Sequence, residues 1–337
     1  MQQAQAPVMD VQGLTKWFPV GGGGPFGLGG EARYVHAVDD VSFTLEKGRI
    51  LALVGESGSG KSTIARLLAR LYPVTSGRVL LKGHDALSHQ NRKAVLAYRN
   101  DVQMIFQDPF GSLNPVKTVQ YHLERPLALH TELRGAARAR RVDELLRTVG
   151  LEPPEEFAPK YPHQLSGGQR QRVVIACALA VNPEVILADE PTSMLDVSIR
   201  MGILNLMKQL RDERDLTYLY ITHDLASARY IADETMVLYA GHMMEKASSK
   251  DLMRDPQHPY TRLLLSAAPN PRMEKTRVEA RGEIPTIINP KPGCRFAPRC
   301  PLVMDICRQR TPEVTEIAPG HLVRCYAAQP HRVGAPT

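Results

Sequence analysis

The sequence lacks a long apolar run, since the longest uninterrupted one covers only residues 173–181. A helix that crosses a bilayer needs about 20 apolar residues, so no membrane span is predicted. The N-terminal segment MQQAQAPVMD has neither a basic flank nor an apolar stretch. Because an export signal needs both features, we expect a cytosolic compartment.

Long basic runs are also missing. The chain has 42 Lys and Arg against 35 Asp and Glu and a formal net charge of +7, yet its longest basic run is the short RARR at 138–141. Nucleic-acid-binding domains concentrate basic residues on one face, whereas dispersed charge is typical of a solvated surface. We therefore expect no nucleic-acid partner, although the net charge is compatible with a phosphorylated ligand.

Cysteine is scarce and unevenly placed. Of the five cysteines, Cys177 lies in the apolar run and is predicted to be a core residue, while Cys294, Cys300, Cys307 and Cys325 lie near the C-terminus. Disulfides are rare in cytosolic proteins, and thiolates suit zinc or an iron–sulfur cluster. The spacings are wider than the CxxC pairs of zinc ribbons, which argues against zinc. From the residues alone, a cluster, zinc and unligated thiols stay open.

The chain length of 337 residues and the hydrophobic content of 43% allow one large domain with an appendage, or two domains. Strand patterns at 8–20 and 35–48 flank a decapeptide, 21–30, that contains seven glycines. Because this decapeptide has no lysine and no helix pattern follows it, we interpret it as a flexible hairpin excursion. The proline-rich stretch at 269–293 is predicted to be an extended linker.

A glycine-rich turn, GESGSGKS, fits the GxxxxGKS pattern of a phosphate-binding loop. The apolar strand pattern ILALV precedes it and the helix pattern TIARLLARLY follows it, which is the context that this motif requires. In such loops backbone amides wrap a polyphosphate, the lysine reaches the outer phosphates and the serine hydroxyl binds magnesium. The predicted nucleotide-binding residues of this loop are Gly55, Ser57, Gly58, Gly60, Lys61, Ser62 and Thr63, with charge on the phosphates stabilised by Lys61 and by the amides of Gly58, Gly60 and Lys61.

A second candidate anion site lies at LSGGQRQR, residues 165–172, directly before the apolar helix. Two adjacent glycines allow a close approach of the backbone to a ligand, and the first amides of a helix have no partner within the helix. Ser166, Gly167 and Gly168 are therefore expected to bind an anion. The sequence thus contains two phosphate sites.

Three further apolar strand patterns end in polar side chains. VILADE ends in Asp189 and Glu190, LTYLYI is followed by a segment with His223, and RNDVQMIFQ ends in Gln107. In a parallel sheet such strand ends lie at one edge, beside the phosphate-binding loop. We therefore predict that Asp189 holds Mg²⁺ through water, that Glu190 polarises an attacking water and that His223 senses the outermost phosphate.

Helical periodicity appears in two regions. Residues 117–149 are predicted to form a helical insertion with one apolar face, which contains Val142, Leu145, Leu146 and Val149. Residues 198–211 are predicted to form an amphipathic helix with inward-facing Ile199, Ile203, Leu206, Met207 and Leu210.

Together these motifs resemble the nucleotide-binding subunit of ABC transporters over about residues 8–250. GESGSGKS resembles the Walker A loop, Gln107 the Q-loop glutamine, LSGGQ the family signature, VILADE the Walker B strand, SMLD the D-loop and His223 the switch histidine. SMLD departs from the commoner SALD by one side chain but retains Asp196. The resemblance implies an α/β fold, a P-loop NTPase of the ABC cassette type, in which a RecA-like core carries antiparallel β and helical subdomains.

The resemblance also implies an ATPase that uses ATP and Mg²⁺. In this interpretation the catalytic residues are Glu190 as general base, His223, Lys61 and Gln107, and Mg²⁺ is held by Ser62, Gln107 and Asp189. Residue type alone favours a core position for Trp17 and Phe18. By the resemblance, Phe18 aligns with the aromatic residue that stacks on adenine, and Trp17 is the second candidate for that role.

The resemblance further explains why one chain has two phosphate sites. In this family two subunits bind head to tail, and the signature of one subunit closes over the ATP held by the other. Ser166, Gly168, Gln169 and Asp196 are therefore expected to contact the ATP of a partner subunit, not the ATP of the same chain.

Two further stretches indicate which branch of the ABC family the chain resembles. QDPFGSLNP and HPYTRLLLSAAP resemble the oligopeptide, dipeptide and nickel branch of ABC importers. The four late cysteines resemble those of the peptide-importer extension, which hold a [4Fe–4S] cluster. The implied domains are a cassette at 1–255, with a helical subdomain at about 108–175, and a small cysteine-containing C-terminal extension at 256–337.

The predicted function is an ATP-hydrolysing subunit that energises the import of peptides. The implied partners are a second ATPase subunit, related but not identical, two transmembrane permease subunits and, indirectly, an extracytoplasmic solute-binding protein. This places the chain at the cytoplasmic face of the membrane. The alternatives are an importer of nickel or another small solute, a soluble ABC ATPase that acts on nucleic acid or ribosomes, and a regulatory protein that binds ATP without turnover.

Overall fold

The computed structural model describes residues 6–20, 32–88, 91–267 and 287–328. The glycine-rich decapeptide at 21–30 and most of the predicted linker at 269–293 lie outside these residues, so both remain predictions. Within the described residues, no helix is long and apolar enough to cross a membrane.

The described residues contain twelve strands and twelve α-helices. The strands are β1 (Met9–Pro19), β2 (Tyr34–Leu45), β3 (Ile50–Val54), β4 (Ser76–Leu81), β5 (His84–Asp85), β6 (Val102–Ile105), β7 (Val185–Asp189), β8 (Thr217–Thr222), β9 (Glu234–Tyr239), β10 (His242–Ser248), β11 (Thr315–Ala318) and β12 (His321–Val323). The helices are α1 (Lys61–Leu68), α2 (Arg92–Asp101), α3 (Pro109–Ser112), α4 (Val119–His130), α5 (Gly135–Thr148), α6 (Pro154–Phe157), α7 (Gly167–Leu179), α8 (Val197–Arg214), α9 (Leu225–Ile231), α10 (Ser249–Arg254), α11 (Pro259–Ala267) and α12 (Asp305–Gln309).

A smaller antiparallel sheet has the strand order β2-β1-β4-β5. Strand β1 pairs with β2 from Met9 opposite Leu45 to Pro19 opposite Tyr34, so the two strand patterns around the glycine-rich decapeptide are neighbours, as predicted. Met9, Val11 and Leu14 of β1 are buried. Their side chains join the hydrophobic cluster that also contains α1, which attaches this sheet to the rest of the molecule.

The larger sheet has the strand order β11-β12-β10-β9-β3-β8-β7-β6. Strand β3 is parallel to β8 and β9, and β7 is parallel to β6 and β8. Every residue of β3, β7 and β8 is buried, because one face of the sheet packs against the smaller sheet and α1 and the other face packs against helices that include α7, α8 and α9. The carboxyl ends of these three neighbouring strands lead into the glycine-rich turn, the Asp189–Glu190 pair and His223, which confirms their predicted grouping at one sheet edge.

Two predicted element boundaries are wrong. The expected strand at 99–107 is shorter, because residues up to Asp101 belong to α2, whose start is capped by Asn91 Oδ1 accepting from Ala94 N at 2.8 Å. The helix expected over 63–72 ends at Leu68, since Arg70 adopts a left-handed backbone conformation with φ of +54°. A non-glycine residue in this conformation does not continue a right-handed helix.

Helices α3 to α7 fill the chain between β6 and β7, and α4 to α7 share one hydrophobic cluster with α8. The predicted apolar face of α5 is buried, as Val142, Leu145 and Leu146 show. Ile203, Leu206, Met207 and Leu210 of α8 are also buried, while Ile199 is half-buried against the same cluster. Cys177 of α7, predicted to lie in the core, is half-buried and packs against this cluster.

The C-terminal region extends the larger sheet. Strand β12 pairs with β10 through Glu245 opposite Val323 and Lys246 opposite Leu322, and β11 pairs with β12. Tyr260 and Phe296 are fully buried in the same hydrophobic cluster as β3 and β8. The described residues after 256 therefore contribute to the molecule's main core.

Candidate functional site

The glycine-rich turn connects β3 to α1 and lies tightly against neighbouring backbone. A Cβ atom on Gly55 would lie 2.2 Å from the carbonyl oxygen of Leu238, and one on Gly60 would lie 2.3 Å from that of Ala37. Gly60 also has a φ of +105°, which other residues rarely adopt. Glycine is thus required at both positions to pack the loop between β2 and β9, while Ser57 and Gly58 are exposed on its outer side.

Lys61 begins α1 and folds back over the loop. Its ammonium Nζ donates to the carbonyl oxygens of Gly55 at 2.7 Å and Glu56 at 2.9 Å. Burial lowers the pKa of Lys61, and the carboxylates of Glu190, Asp189 and Glu56 act in the opposite direction. A cation therefore lies inside the loop, close to the acidic pair at the end of β7.

Ser62 and Asp189 meet at this edge of the sheet. The Ser62 hydroxyl donates to Asp189 Oδ1 at 2.8 Å. Burial raises the pKa of the Asp189 carboxyl, while the hydrogen bond from Ser62 and the charge of Arg66 lower it. A hydroxyl and a carboxylate oxygen are ligands that Mg²⁺ favours, so these two residues fit the predicted ion. Thr63 follows in the first turn of α1 and is half-buried.

Glu190 is held by residues from both neighbouring strand ends. Its Oε2 atom accepts from Gln107 Nε2 at 3.1 Å and lies 3.3 Å from His223 Nδ1. Its backbone has a φ of +47°, and its amide donates to the carbonyl oxygen of Ile221 at 3.0 Å. Such backbone conformations in non-glycine residues are strained and are common at functional sites. The structure thus brings together three predicted catalytic residues, and the Gln107 amide, predicted as a magnesium ligand, is directed at Glu190.

Phe18, predicted to stack on a base, lies at the end of β1 beside Tyr72. Their rings meet edge to face, with centroids 5.6 Å apart at 86°. The neighbouring Trp17 ring instead stacks on His36 with centroids 4.1 Å apart, so one of its faces is occupied. Phe18 and Trp17 are both half-buried, while Tyr72 is exposed. The sequence analysis missed Tyr72, whose only signal was its place at the end of the helix pattern after the phosphate-binding loop.

The LSGGQ segment begins α7, as its helix-start pattern predicts. Ser166 Oγ accepts from the Gln169 amide at 3.3 Å, and Gln169 Oε1 accepts from the Ser166 amide at 2.9 Å. This reciprocal pair is a capping box, which satisfies two amides at the helix start. The hydrogen bonds of Ser166 and Gln169 thus stay within the start of α7.

The glycines of this segment pack against the chain around the start of α8. A Cβ atom on Gly168 would lie 2.5 Å from Ile199 Cγ2, and one on Gly167 would lie 3.4 Å from Leu195 Cδ2. Asp196 is exposed directly before α8. From the sequence, we interpreted the glycine at position 168 as allowing a ligand to approach the backbone. The structure shows that a glycine there also allows α7 to pack closely against α8.

The four late cysteines lie near one another and are free thiols. The Cys294 amide donates to the carbonyl oxygen of Cys307 at 2.7 Å. Burial raises the pKa of Cys294 to about 11, and the charges of Cys307, Cys325 and Cys300 act in the same direction. Nevertheless, within the part of the chain that the structure describes, no group of three or more His, Cys, Asp or Glu side chains is arranged to hold a metal ion. The sulfur positions therefore give no support to the predicted iron–sulfur cluster.

Backbone amides point at three of these sulfur atoms. The amides of Phe296 and Leu302 donate to the sulfurs of Cys294 and Cys300, in each case from two residues further along the chain. Cys325 accepts in the same way from the amides of Ala327 and Ala328. Burial nevertheless raises the pKa of all three thiols, and the amides act only in the opposite direction, toward the thiolate form that binds metals.

Two family models match the sequence. The model described as ABC transporter matches residues 38–193, and the model described as oligopeptide/dipeptide transporter, C-terminal region, matches residues 244–307. The first match includes the phosphate-binding loop, LSGGQ and the Asp189–Glu190 pair. The second includes α11 and three of the four late cysteines.

Relatives match along nearly the whole chain. An oligopeptide transport ATP-binding protein of Bacillus subtilis is 45% identical over 326 residues, which are 96% of this chain and 98% of the relative. A dipeptide transport ATP-binding protein of Haemophilus influenzae is 44% identical over 322 residues, which are 95% of this chain and 96% of the relative.

Solved structures of similar fold cover most of the chain. One is a dimeric post-hydrolysis state of an ATP-binding cassette bound to ADP and Pi, with a TM-score of 0.62 and 31% identity over 72% of this chain and 98% of that one. Another, a part of an ABC transporter complex from Clostridium perfringens, has a TM-score of 0.63 and 25% identity over 74% of this chain and 92% of that one. From its motifs, its fold and these matches, the chain belongs to the family of ABC transporter ATP-binding proteins, in the branch that carries the oligopeptide/dipeptide transporter C-terminal region.

Proposed function

We propose that this chain is the ATP-hydrolysing subunit of an importer for oligopeptides or dipeptides. The observation that carries the proposal is the presence in one chain of both the ABC transporter match at 38–193 and the oligopeptide/dipeptide C-terminal match at 244–307. The two peptide-transport relatives are aligned over at least 95% of this chain, so the likeness includes both regions.

The proposed chemistry assigns a role to each residue of the site. Lys61 and the amides of Gly58, Gly60 and Lys61 bind the phosphates of ATP, and Ser62, Gln107 and Asp189 hold Mg²⁺. When bound, the ion neutralises charge on the outer phosphates. Glu190 accepts a proton from the attacking water, and the contacts from Gln107 and His223 fix its carboxylate. Phe18, together with Tyr72, offers aromatic surface for the adenine.

The proposed assembly pairs this chain head to tail with a second, related but non-identical ATPase subunit. Ser166, Gly168, Gln169 and Asp196 would then contact ATP held by that partner. Two transmembrane permease subunits would hold the pair at the cytoplasmic face of the membrane, and an extracytoplasmic solute-binding protein would supply the peptide. Support for the pairing comes from the similar ATP-binding cassette, which is dimeric.

The proposed domain organisation is a cassette at 1–255, with its helical subdomain at about 108–175, and a C-terminal extension at 256–337. We further propose that Cys294, Cys300, Cys307 and Cys325 hold a [4Fe–4S] cluster. The amides directed at three of the sulfurs support this assignment, because they oppose the rise in thiol pKa that burial causes. Closer approach of the four sulfurs would accompany ligation.

The cluster is tested by its metal content. Protein purified without oxygen is expected to contain iron and acid-labile sulfide in a ratio of about four each per chain. A variant with Cys294 and Cys307 both changed to Ser should lose both, whereas Cys177→Ser should retain them. Iron-free protein, with or without zinc, would contradict the cluster.

The transport function is tested on the native complex. The tagged chain is purified from membranes in mild detergent, its copurifying subunits are identified, and its ATPase activity is measured in liposomes with candidate solutes and the solute-binding protein. We expect two permease subunits, a second ATPase chain and stimulation by short peptides. Stimulation by nickel but not by peptides, or association with nucleic acid in place of permeases, would contradict the proposal.

A further inference from the structure

Glu56, the second residue of the phosphate-binding loop, is bound by residues from the C-terminal region. The Arg299 guanidinium donates to both carboxylate oxygens of Glu56, from Nη1 at 3.0 Å and from Nη2 at 3.2 Å. The Tyr260 hydroxyl accepts from the Glu56 amide at 3.1 Å. The Glu56 carbonyl oxygen accepts from Lys61 Nζ. The amide, the carbonyl oxygen and the carboxylate of Glu56 therefore all have partners.

Arg299 is held in place by its own surroundings. It ends a short 3-10 turn, Ala297–Arg299, in which its amide donates to the carbonyl oxygen of Phe296 at 2.9 Å. Phe296 is fully buried, and its ring centroid lies 5.3 Å from those of both Tyr239 and Tyr260. The Arg299 guanidinium lies 5.7 Å from the Tyr239 ring centroid. The aromatic cluster therefore fixes Arg299 and Tyr260 together.

This ion pair differs from an ordinary surface pair. The Arg299 side chain is only 6% exposed and the Glu56 side chain 31% exposed. Exposed ion pairs contribute little because water screens them and two long side chains must be ordered. In a bidentate arginine–carboxylate pair whose arginine is already held in place, little further side-chain entropy is lost. Such a pair also fixes the direction of the contact as well as its distance.

The charge of Glu56 also matters to the bound ligand. Its carboxylate is close enough to Lys61 to act on the lysine's charge. An unpaired carboxylate beside a polyphosphate would repel it, since like charges at short range disfavour binding. Pairing with Arg299 cancels that repulsion while leaving Lys61 for the phosphates.

We propose that Arg299 and Tyr260 are positioning residues of the ATP site, which fix the phosphate-binding loop and neutralise Glu56 from the C-terminal region of the same chain. The proposal deepens the proposed function and rests on the loop binding MgATP. The C-terminal region thereby acts directly on the affinity of its own cassette for nucleotide. Arg299 directly precedes Cys300, so the turn that bears it is part of the cysteine segment.

The test measures ATPase activity of the complete transporter complex against MgATP concentration. Arg299→Ala is expected to raise KM about tenfold, as the loss of a charge-assisted pair implies, with kcat changed less than about twofold. Arg299→Lys, which keeps the charge but loses the bidentate geometry, should give a KM between those of the wild type and Arg299→Ala. Tyr260→Phe, which removes only the hydroxyl, should raise KM about threefold. The matched control is Arg308→Ala, an exposed arginine that directly follows Cys307, and its KM should equal that of the wild type.

A double-mutant comparison separates positioning from general folding support. In a Glu56→Gln background, adding Arg299→Ala should raise KM by less than about threefold, because no carboxylate is left to pair. The proposal is wrong if Arg299→Ala leaves KM unchanged, or if Arg299→Ala raises KM by the same factor with Gln and with Glu at position 56. If Arg299→Ala does not fold, Arg299→Lys and Tyr260→Phe decide in the same way.

Equilibrium binding of a non-hydrolysable ATP analogue distinguishes this proposal from the function itself. A wild-type complex that binds the analogue but does not hydrolyse ATP would contradict the proposed function, and weaker analogue binding by Arg299→Ala would still support the positioning role. If the wild type hydrolyses ATP, and the wild type and Arg299→Ala bind the analogue with equal affinity, only the positioning role is wrong.

Discussion

Glu190 Oε2 and His223 Nδ1 lie 3.3 Å apart, although the two residues follow different strands of the parallel sheet. The Glu190 carboxylate is mostly shielded, with 16% of its side chain exposed, while 59% of the His223 side chain is exposed. A shielded carboxylate beside an exposed imidazole suits a base held inside the site next to a side chain that can also reach the outermost phosphate. The relationship follows from the pairing of β7 with β8, which sets the two strand ends side by side.

Glu190→Gln is expected to lower ATP turnover at least about 100-fold, because the amide cannot take a proton from water. ATP binding should persist, since Lys61, Ser62 and Asp189 are unchanged, and the ATP-bound pair of subunits should become stable. Turnover assays and size-exclusion chromatography with ATP measure both effects. Glu213→Gln on the exposed face of α8 serves as the control. Near wild-type hydrolysis by Glu190→Gln would rule out the assigned role.

Ser166→Arg tests whether the signature acts on a partner's nucleotide. In a mixed pair of one Ser166→Arg subunit and one intact subunit, only the composite site that contains the altered signature should lose activity. An arginine at the helix cap removes the hydroxyl that accepts from Gln169 and places bulk where the partner's ATP would bind. Activity per pair should therefore fall by about half if the two sites work independently. Equal activity of both composite sites would contradict the proposed contact.

Gly168→Ala is expected to destabilise the chain without any ligand present. Alanine is the better helix former by about 1 kcal/mol, but its methyl group would overlap Ile199 Cγ2, and overpacking costs about 1–3 kcal/mol. Isoleucine is branched at Cβ and its χ1 rotation is restricted, so the clash is not easily relieved. Chemical unfolding should show a net loss of stability.

The same clash has an internal control. In an Ile199→Ala background the obstructing atom is absent, so Gly168→Ala should there be neutral or stabilising. A similar loss of stability in both backgrounds would show that the close packing of α7 on α8 is not the cause.

His258→Asn is expected to make the stability of the protein less dependent on pH. Burial lowers the pKa of His258 to about 3, whereas a histidine in an unfolded chain titrates near 6.5. Between these values the unfolded state binds one more proton, so acidification from pH 6.5 costs about 1.4 kcal/mol per pH unit. Asparagine can retain the hydrogen bond that His258 Nδ1 accepts from the Tyr260 amide, because its side-chain oxygen caps helices well.

The comparison is made by urea unfolding between pH 7.5 and 5. The wild type should lose stability more steeply than His258→Asn as the pH falls, and the two should converge in slope above about pH 7. His84→Asn, which changes an exposed histidine, should retain the wild-type slope. Equal slopes for wild type and His258→Asn would contradict the prediction.

The sequence predicted the parts of the fold that local pattern encodes. The phosphate-binding loop was found because its glycines, lysine and serine occur at fixed spacing between a strand and a helix. The strand ends with Asp189, Glu190 and His223 were grouped because parallel strands place such ends at one edge. Boundaries were less predictable, as α2 shows, because it runs to Asp101 and β6 begins at the next residue, with no glycine or proline between them to mark the change.

Long-range contacts left no signal in a single sequence. The pairing of β10 with β12, the edge-to-face contact of Phe18 with Tyr72 and the close approach of Gly168 to Ile199 depend on how distant elements pack. The contact between Glu56 and Arg299 is the clearest case, because no local pattern identifies one particular arginine as the partner of a loop glutamate. A short motif fixes the chemistry of a site, while its surroundings depend on the whole fold.

Glu56 and Arg299 are 243 residues apart along the chain, and this separation has a consequence for biosynthesis. At translation rates of about 5–20 residues per second, the phosphate-binding loop would leave the ribosome about 10–50 s before its partner arginine. During that interval the nascent cassette has the motif for ATP but not the residues that anchor it. A newly made chain would therefore acquire full nucleotide affinity only after Arg299 has been synthesised, which delays nucleotide-driven pairing until that point.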